Sequence, residues 1–180
     1  MPFSSNAFEH YVGTLFDLLQ PGRVCDIGPG EGKYSGIARR KAKEHGFACH
    51  LTAVEIDQSY VDTYDLHNLY DDVIVADAVT LINNPRCRFD LVIMGDCIEH
   101  MRKSDGIDLV NFLIYRTGYI CIITPEALVQ DDWEGHASEA HISVWSVEDF
   151  RGLNMLHRFH NGMHAFLLKG YQPSRMIITG

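Results

Sequence analysis

The stretch Val24-Cys25-Asp26-Ile27-Gly28-Pro29-Gly30-Glu31-Gly32-Lys33 decides how the 180-residue chain is read. An apolar run ends at Ile27, glycines alternate from Gly28 to Gly32, and a helical pattern opens near Gly32. Glycines at such a turn let the backbone approach a ligand closely, and the first N–H groups of the following helix have no intrahelical partners. The spacing is Gly28-x-Gly30-x-Gly32 and not G-x-G-x-x-G, which weakens a pyrophosphate-binding reading, and no Lys-Ser/Thr pair completes a P-loop. A tight strand–helix turn without a ligand is the plain alternative; the acidic residues further along decide against it.

Outward from this turn, short runs rich in Val and Ile predict strands over 23–27, 50–55, 72–75, 89–94 and 119–123. Helical patterns over 32–45, 58–70 and 104–115 lie between them, so the alternation predicts a parallel sheet wrapped by helices. Residues 5–19 predict an extra helix before the first strand, capped by Ser4 or Ser5 and stopped by Pro21-Gly22. The last third breaks the pattern. Runs 155–160 and 163–170 flank Asn161-Gly162, a two-residue hairpin signal that pairs Phe159 with His164 and His157 with Phe166. An ordinary dinucleotide fold would continue with parallel strands instead.

Composition narrows the function. Lys+Arg number 15 and Asp+Glu 24, a net charge of −9, which disfavours nucleic acid as a partner. No apolar run reaches the roughly 20 residues of a membrane helix, and the start MPFSSNAFEHY lacks the pattern of a secretory leader. The five cysteines show no CxxC spacing and read as buried thiols of a reducing, cytoplasmic setting. With no repeat or linker, residues 1–180 read as one domain, with a helix in 1–20 and a substrate-side loop over 126–146.

Two acids follow the glycine loop at successive strand ends. Glu55, in Ala53-Val54-Glu55-Ile56-Asp57, can accept hydrogen bonds from both hydroxyls of a ribose. Asp77, in Val75-Ala76-Asp77-Ala78, can accept from an adenine amino group. Together with the glycine loop they predict a nucleoside-binding site.

These segments, with Phe89-Asp90-Leu91-Val92-Ile93, resemble the successive motifs of class I S-adenosylmethionine-dependent methyltransferases over about residues 22–170. The resemblance implies an α/β, Rossmann-like seven-stranded sheet, mostly parallel with an antiparallel C-terminal hairpin. It places the methionine part of the cofactor at Asp26, Gly28 and Gly30 beside Pro29. The ribose falls at Glu55 with Ile56, the adenine at Asp77 with Ala78, and the sulfonium region at Gly95-Asp96.

A second constellation is Met94-Gly95-Asp96-Cys97-Ile98-Glu99-His100-Met101, joined later by His141 in His141-Ile142-Ser143-Val144-Trp145. Carboxylate and imidazole donors suit a divalent ion, which could hold neighbouring hydroxyls and lower the pKa of one of them. Asp96-x-x-Glu99-His100, Thr124-Pro125 and His141-x-x-x-Trp145 resemble the metal-dependent small-RNA 2′-O-methyltransferases, and the first part also resembles ubiquinone-biosynthesis O-methyltransferases. The resemblance implies Mg²⁺ or Mn²⁺ at Asp96, Glu99, His100 and His141. Without an ion, His100 or His141 serves as general base for a hydroxyl near neutral pH.

The Asn/Asp-Pro-Pro-aromatic motif for exocyclic amines and amides is absent. The expected activity is therefore O-methylation of a small hydroxylated molecule. The alternatives are methylation of an RNA terminus or a nitrogen acceptor, and a non-catalytic cofactor-binding module. A homodimer could complete the acceptor side.

Overall fold

The computed structural model describes residues 5–132 and 135–174. Strands form at β1 (Arg23–Ile27), β2 (His50–Glu55), β3 (Asp72–Val75), β4 (Phe89–Gly95), β5 (Thr117–Pro125), β6 (Met155–His160) and β7 (Met163–Lys169). They build a seven-stranded sheet in the order β3-β2-β1-β4-β5-β7-β6. β1 to β5 run parallel, whereas β7 lies antiparallel to both β5 and β6, as the sequence predicts. Asn161 and Gly162 take φ of 51° and 71°, and the pairs His157–Phe166 and Phe159–His164 are the observed register. His157 Nε2 lies 2.9 Å from His164 Nδ1, and His157 stacks on Phe166, so these histidines pack within the hairpin.

Before β1, residues Asn6–Phe8 form a 3₁₀ turn that runs into α1 (Glu9–Leu19). Ser5 caps the turn by accepting from the Ala7 N–H at 3.2 Å, while Ser4 lies outside the described residues. α1 ends at Gln20, left-handed at φ 42°, before Pro21 forbids another turn. α2 (Lys33–His45) and α5 (Lys103–Ile114) lie close to their predicted bounds.

The helix expected over 58–70 divides into α3 (Gln58–Thr63) and α4 (Leu66–Leu69). Asp65 sits between them at φ 51°, a conformation aspartate tolerates, and its carboxylate accepts from Asn68 Nδ2 at 2.6 Å. The β-branched and aromatic run Val61–Tyr64 has little helical preference to resist the break. β3 also departs from the expectation of strands buried on both faces: Ile74 and Val75 are exposed. It is an edge strand, and only a 3₁₀ turn (Ala78–Asn83) connects it to β4, so no long helix covers it.

The alternating side chains of the inner strands feed two cores. On one face Val24, Leu51, Leu91 and Ile123 pack with Val12, Phe16 and Ile37 from α1 and α2. On the other, Cys25, Val92, Ile120 and Phe166 pack with Leu109, Leu113, Trp145 and Phe150. Cys25, Cys87, Cys97 and Cys121 are buried and Cys49 half-buried, all as free thiols. Among the described residues no helix is long and apolar enough to cross a membrane. The strand order reverses between β1 and β4, which opens a crevice at their C-terminal ends.

Candidate active site

The glycine loop occupies that crevice. Gly28, Gly30 and Gly32 have φ of 68°, 52° and 81°, values an L side chain resists. A Cβ at Gly28 would lie 2.7 Å from Cys97 Sγ, so the loop and the turn after β4 are in direct contact. Gly32 is the N-cap of α2 and has no side chain with which to cap it, and its carbonyl accepts from the Ser35 N–H at 3.0 Å.

A cavity of about 410 Å³ opens over the loop. Of the predicted cofactor residues, Gly28, Gly30, Glu55, Ile56, Asp77, Ala78, Gly95 and Asp96 line it, while Asp26 and Pro29 do not. Asp26 alternates with Ile27 along β1 and falls on the other face of the sheet. There it is 2% exposed and accepts from the Tyr70 hydroxyl at 2.5 Å. Burial pushes its pKa up to about 7, against the pull of Tyr70. Its other oxygen, Oδ1, is buried without a hydrogen-bond partner.

Glu55, at the end of β2, is buried, and its Oε1 accepts from the Asp57 N–H at 3.0 Å. Burial raises its pKa; the Asp57 and Ile56 N–H groups draw it back down. Asp77 uses Oδ1 to cap the next turn through the Val79 N–H at 2.9 Å. Asp96 is left-handed at φ 49°, and its Oδ2 accepts from the Ser5 N–H at 2.8 Å. The N-terminal segment therefore reaches across to the end of β4, a contact no local pattern signals.

Glu99 and His100 lie on the 3₁₀ turn Ile98–His100, and His141 comes from the long loop after β5. One ligand atom from each of the three falls within 4.8 Å of the others, and the imidazole centroids are 4.7 Å apart. His100 Nδ1 bonds the Ala140 carbonyl at 3.1 Å, and His141 Nδ1 bonds the Leu128 carbonyl at 2.9 Å. A carbonyl can only accept, so in each ring Nδ1 carries the hydrogen, and Nε2 is the nitrogen left to accept in the neutral form. Glu99 is 1% exposed; its Oε2 accepts from Thr124 Oγ1 at 3.0 Å, while Oε1 has no hydrogen-bond partner. Burial, and then the charge of Asp96, push its pKa up to about 8. Burial likewise lowers the pKa of His100 and favours the neutral ring at pH 7. Asp96 is not drawn into this triad, and of the three only His100 lines the cavity.

The second cluster with ligand-like spacing, Asp17, Glu44 and His45, already holds a cation: Lys41 Nζ is 2.9 Å from Asp17 and 3.3 Å from Glu44. Tyr34 is buried against Gly95 and does not line the cavity. Sequence reasoning missed Tyr60, Arg102, Asp105, Ser138 and Glu139, all in the lining. None of them sits in a motif; Ser138 and Glu139 do fall in the loop over 126–146 expected on the substrate side, and Tyr60 lies close to Glu55 in sequence.

A family model described as a methyltransferase domain matches residues 5–158. No curated protein matches the chain in sequence. Among solved structures, an O-methyltransferase family protein from Burkholderia thailandensis superposes with a TM-score of 0.65 at 12% identity, covering 91% of this chain and 55% of that one. A SAM-dependent methyltransferase from Archaeoglobus fulgidus gives 0.64 at 15% identity, covering 89% of this chain and 94% of its own. Human N-acetylserotonin methyltransferase in complex with SAM gives 0.61 at 17% identity, covering 92% and 52%. The chain thus spans about half the length of the first and third of these, and at such identities the likeness is one of fold. The family match over most of its length and the seven-stranded sheet together make the chain a member of the class I S-adenosylmethionine-dependent methyltransferases.

Proposed function

We propose that the chain methylates an oxygen of a small hydroxylated molecule, with His100 as the general base. The observation that carries this reading is the state of His100. It lines the cavity, its Nδ1–H is held by the Ala140 carbonyl, and burial lowers its pKa. Its Nε2 can therefore take the proton of an incoming hydroxyl.

The cofactor supplies an electrophilic methyl on a sulfonium sulfur, so the protein's task is positioning rather than covalent chemistry. The glycine loop suits the methionine part, Glu55 the ribose and Asp77 the adenine. The carboxylates around the cavity favour a cationic ligand. The net charge of −9 favours a small acceptor over RNA. His100→Ala should lower kcat by about 10²-fold or more while S-adenosylhomocysteine affinity is little changed. The assay is formation of S-adenosylhomocysteine over a panel of phenols, catechols and sugars. Undiminished turnover in the variant would remove His100 from the chemistry.

The donor set also fits a divalent ion such as Mn²⁺ or Mg²⁺, held by Glu99, His100 and His141. The unpartnered Glu99 Oε1 favours this, because a buried carboxylate oxygen left unsatisfied is costly. Both imidazoles present Nε2 once Nδ1 is fixed by a carbonyl, as metal-ligating histidines commonly do. An ion there would lower the pKa of a bound hydroxyl, and His100 would then be a ligand instead of the base. Calorimetric titration of the chelated protein with Mn²⁺ should show one site that Glu99→Gln and His141→Ala both abolish. Full turnover after exhaustive chelation, with no Mn²⁺ uptake, leaves the free His100 version alone.

A further inference from the structure

The mouth of the cavity on the His100 side is apolar, and neither motif accounts for it. Among the described residues, five of the exposed large apolar side chains fall within residues 128–147. Leu128, Ile142 and Val144 are each more than half exposed, and Val129 is 95% exposed. Two bonds from His141 draw their segments together. Its N–H donates to the Gln130 carbonyl at 2.9 Å and its Nδ1–H to the Leu128 carbonyl at 2.9 Å, so residues 128–130 lie alongside residues 141–143. Ile142 also lines the cavity, next in sequence to His141, whose ring meets that of His100 at 4.7 Å. The apolar lip is therefore continuous with the cavity at the end where His100 stands.

The backbone holds these side chains out in water. The N–H groups of Ile142 and Ser143 both donate to the Glu99 carbonyl, at 2.9 and 3.0 Å, and the Val144 carbonyl accepts from Lys103 Nζ. The next side chain, Trp145, is fully buried. A segment pinned at so many points is not free to turn its apolar groups inward. Single exposed apolar residues are ordinary, but a fixed group of them at the rim of a ligand cavity marks a place where a ligand excludes water. Charge divides the site in the same way. Glu55, Asp77 and Asp96 in the lining suit a cationic cofactor, whereas the four residues of the lip carry no charge. A cavity of about 410 Å³ is sized for one small ligand, so with the cofactor inside it the body of a second reactant extends past the rim.

We propose that the acceptor is a phenol with an apolar body, which lies on Leu128, Val129, Ile142 and Val144 while its hydroxyl enters beside His100. The inference rests on the O-methylation reading and narrows it, from hydroxylated molecules in general to apolar phenols, with sugars excluded.

The test titrates the full chain, saturated with S-adenosylhomocysteine, with phenol, 4-ethylphenol, 4-butylphenol and methyl glucoside by calorimetry. Turnover of the same compounds is followed with S-adenosylmethionine. Affinity should rise about twofold to fourfold for each added carbon, the span between half and full burial of a methylene. The heat-capacity change of binding should become more negative along the series, and methyl glucoside should bind least. In the double variant Val129→Ser/Val144→Ser the gain should fall below about 1.5-fold per carbon, with the affinity for S-adenosylhomocysteine unchanged. Both side chains are exposed, so neither substitution opens the core.

Affinity that does not grow with the alkyl chain overturns the inference, as does methyl glucoside bound as tightly as 4-butylphenol. A gain that survives intact in the double variant places the apolar body elsewhere and overturns the lip. Sedimentation of the parent as a dimer that the double variant dissociates would assign these side chains to a second copy of the chain, and overturns it too. Growth of affinity with chain length in a protein that transfers methyl to none of the compounds would refute the O-methylation reading and leave the apolar lip standing, which keeps the two failures distinct.

Discussion

Glu55→Ala is expected to weaken S-adenosylhomocysteine binding by about 10² to 10⁴-fold by calorimetry, since two charge-assisted bonds at about 1.5–3 kcal/mol each are lost. Glu55 ends β2 beside the glycine loop, and it is buried with Oε1 already tied to the Asp57 N–H. That bond holds the carboxylate in place before any ligand arrives, so little ordering cost is left for binding. Burial, the largest influence, raises its pKa, and the signs of two further effects follow. The ionised carboxylate is the better acceptor, so affinity is present above the raised pKa and lost as pH falls through it. The same group contributes stability to the ligand-free fold that is present in acid and lost as pH rises through its folded pKa. Glu55→Gln should therefore melt no lower than the parent at neutral pH in the absence of ligand, while binding more weakly and with a flatter dependence on pH. Unchanged affinity in Glu55→Ala would remove Glu55 from the site.

What the sequence made legible was the part of the site whose chemistry is local to strand ends. Gly28, Gly30 and Asp77 follow strands of a parallel sheet and Glu55 ends one, and parallel strands all deliver their C-terminal residues to one edge. Asp26 shows the limit of that logic. It belongs to the same motif, but side chains alternate along β1, and only the packing with Tyr70 shows which face it takes. Glu139 and His136 fall in the loop over 126–146 that the sequence assigns to the substrate side, but their individual places are not legible, for another reason. They lie in a long loop without hydrophobic period, and their positions are fixed by contacts to Asp57 and Glu99 that are remote in sequence. The break at Asp65 and the left-handed Asp96 depend on side-chain hydrogen bonds that compete with regular structure, and spacing alone does not carry them. Glu99, His100 and His141 were named together from a motif, and the triad forms; Asp96, named with them, is engaged by the N-terminal segment instead.

The largest effect on stability is expected at Trp145, which the sequence offers only as the end of the His141 pattern. Its side chain is fully buried, stacks on Phe150 at 5.6 Å, and lies under the Lys103 ammonium, 4.1 Å from the ring. Gly106 of α5 leaves room for it: a Cβ there would stand 2.6 Å from the indole. The indole N–H is shared between the Ile98 carbonyl at 3.1 Å and Ser143 Oγ at 2.8 Å. Trp145 therefore fills the core under α5 and ties the turn carrying Glu99 and His100 to the loop carrying His141. Trp145→Ala opens a cavity the size of an indole and should cost about 3–5 kcal/mol, a drop in melting temperature of roughly 6–20 °C. Trp145→Phe keeps an aromatic ring against Phe150 but removes the indole donor, leaving the Ile98 carbonyl to the Met101 N–H at 3.2 Å and the Ser143 hydroxyl at 3.3 Å. It should cost about 1–3 kcal/mol, the loss of the indole hydrogen bonds together with the space left by the smaller ring. The smaller variant is the more informative about function. It stays folded at assay temperature, yet loosens the joint between His100 and His141, so turnover should fall further than S-adenosylhomocysteine affinity, because Glu55 and the glycine loop are untouched. A Trp145→Phe protein that loses stability but keeps full turnover would mean that the joint serves the core alone, and that the two histidines hold their places through the Ala140 and Leu128 carbonyls without it.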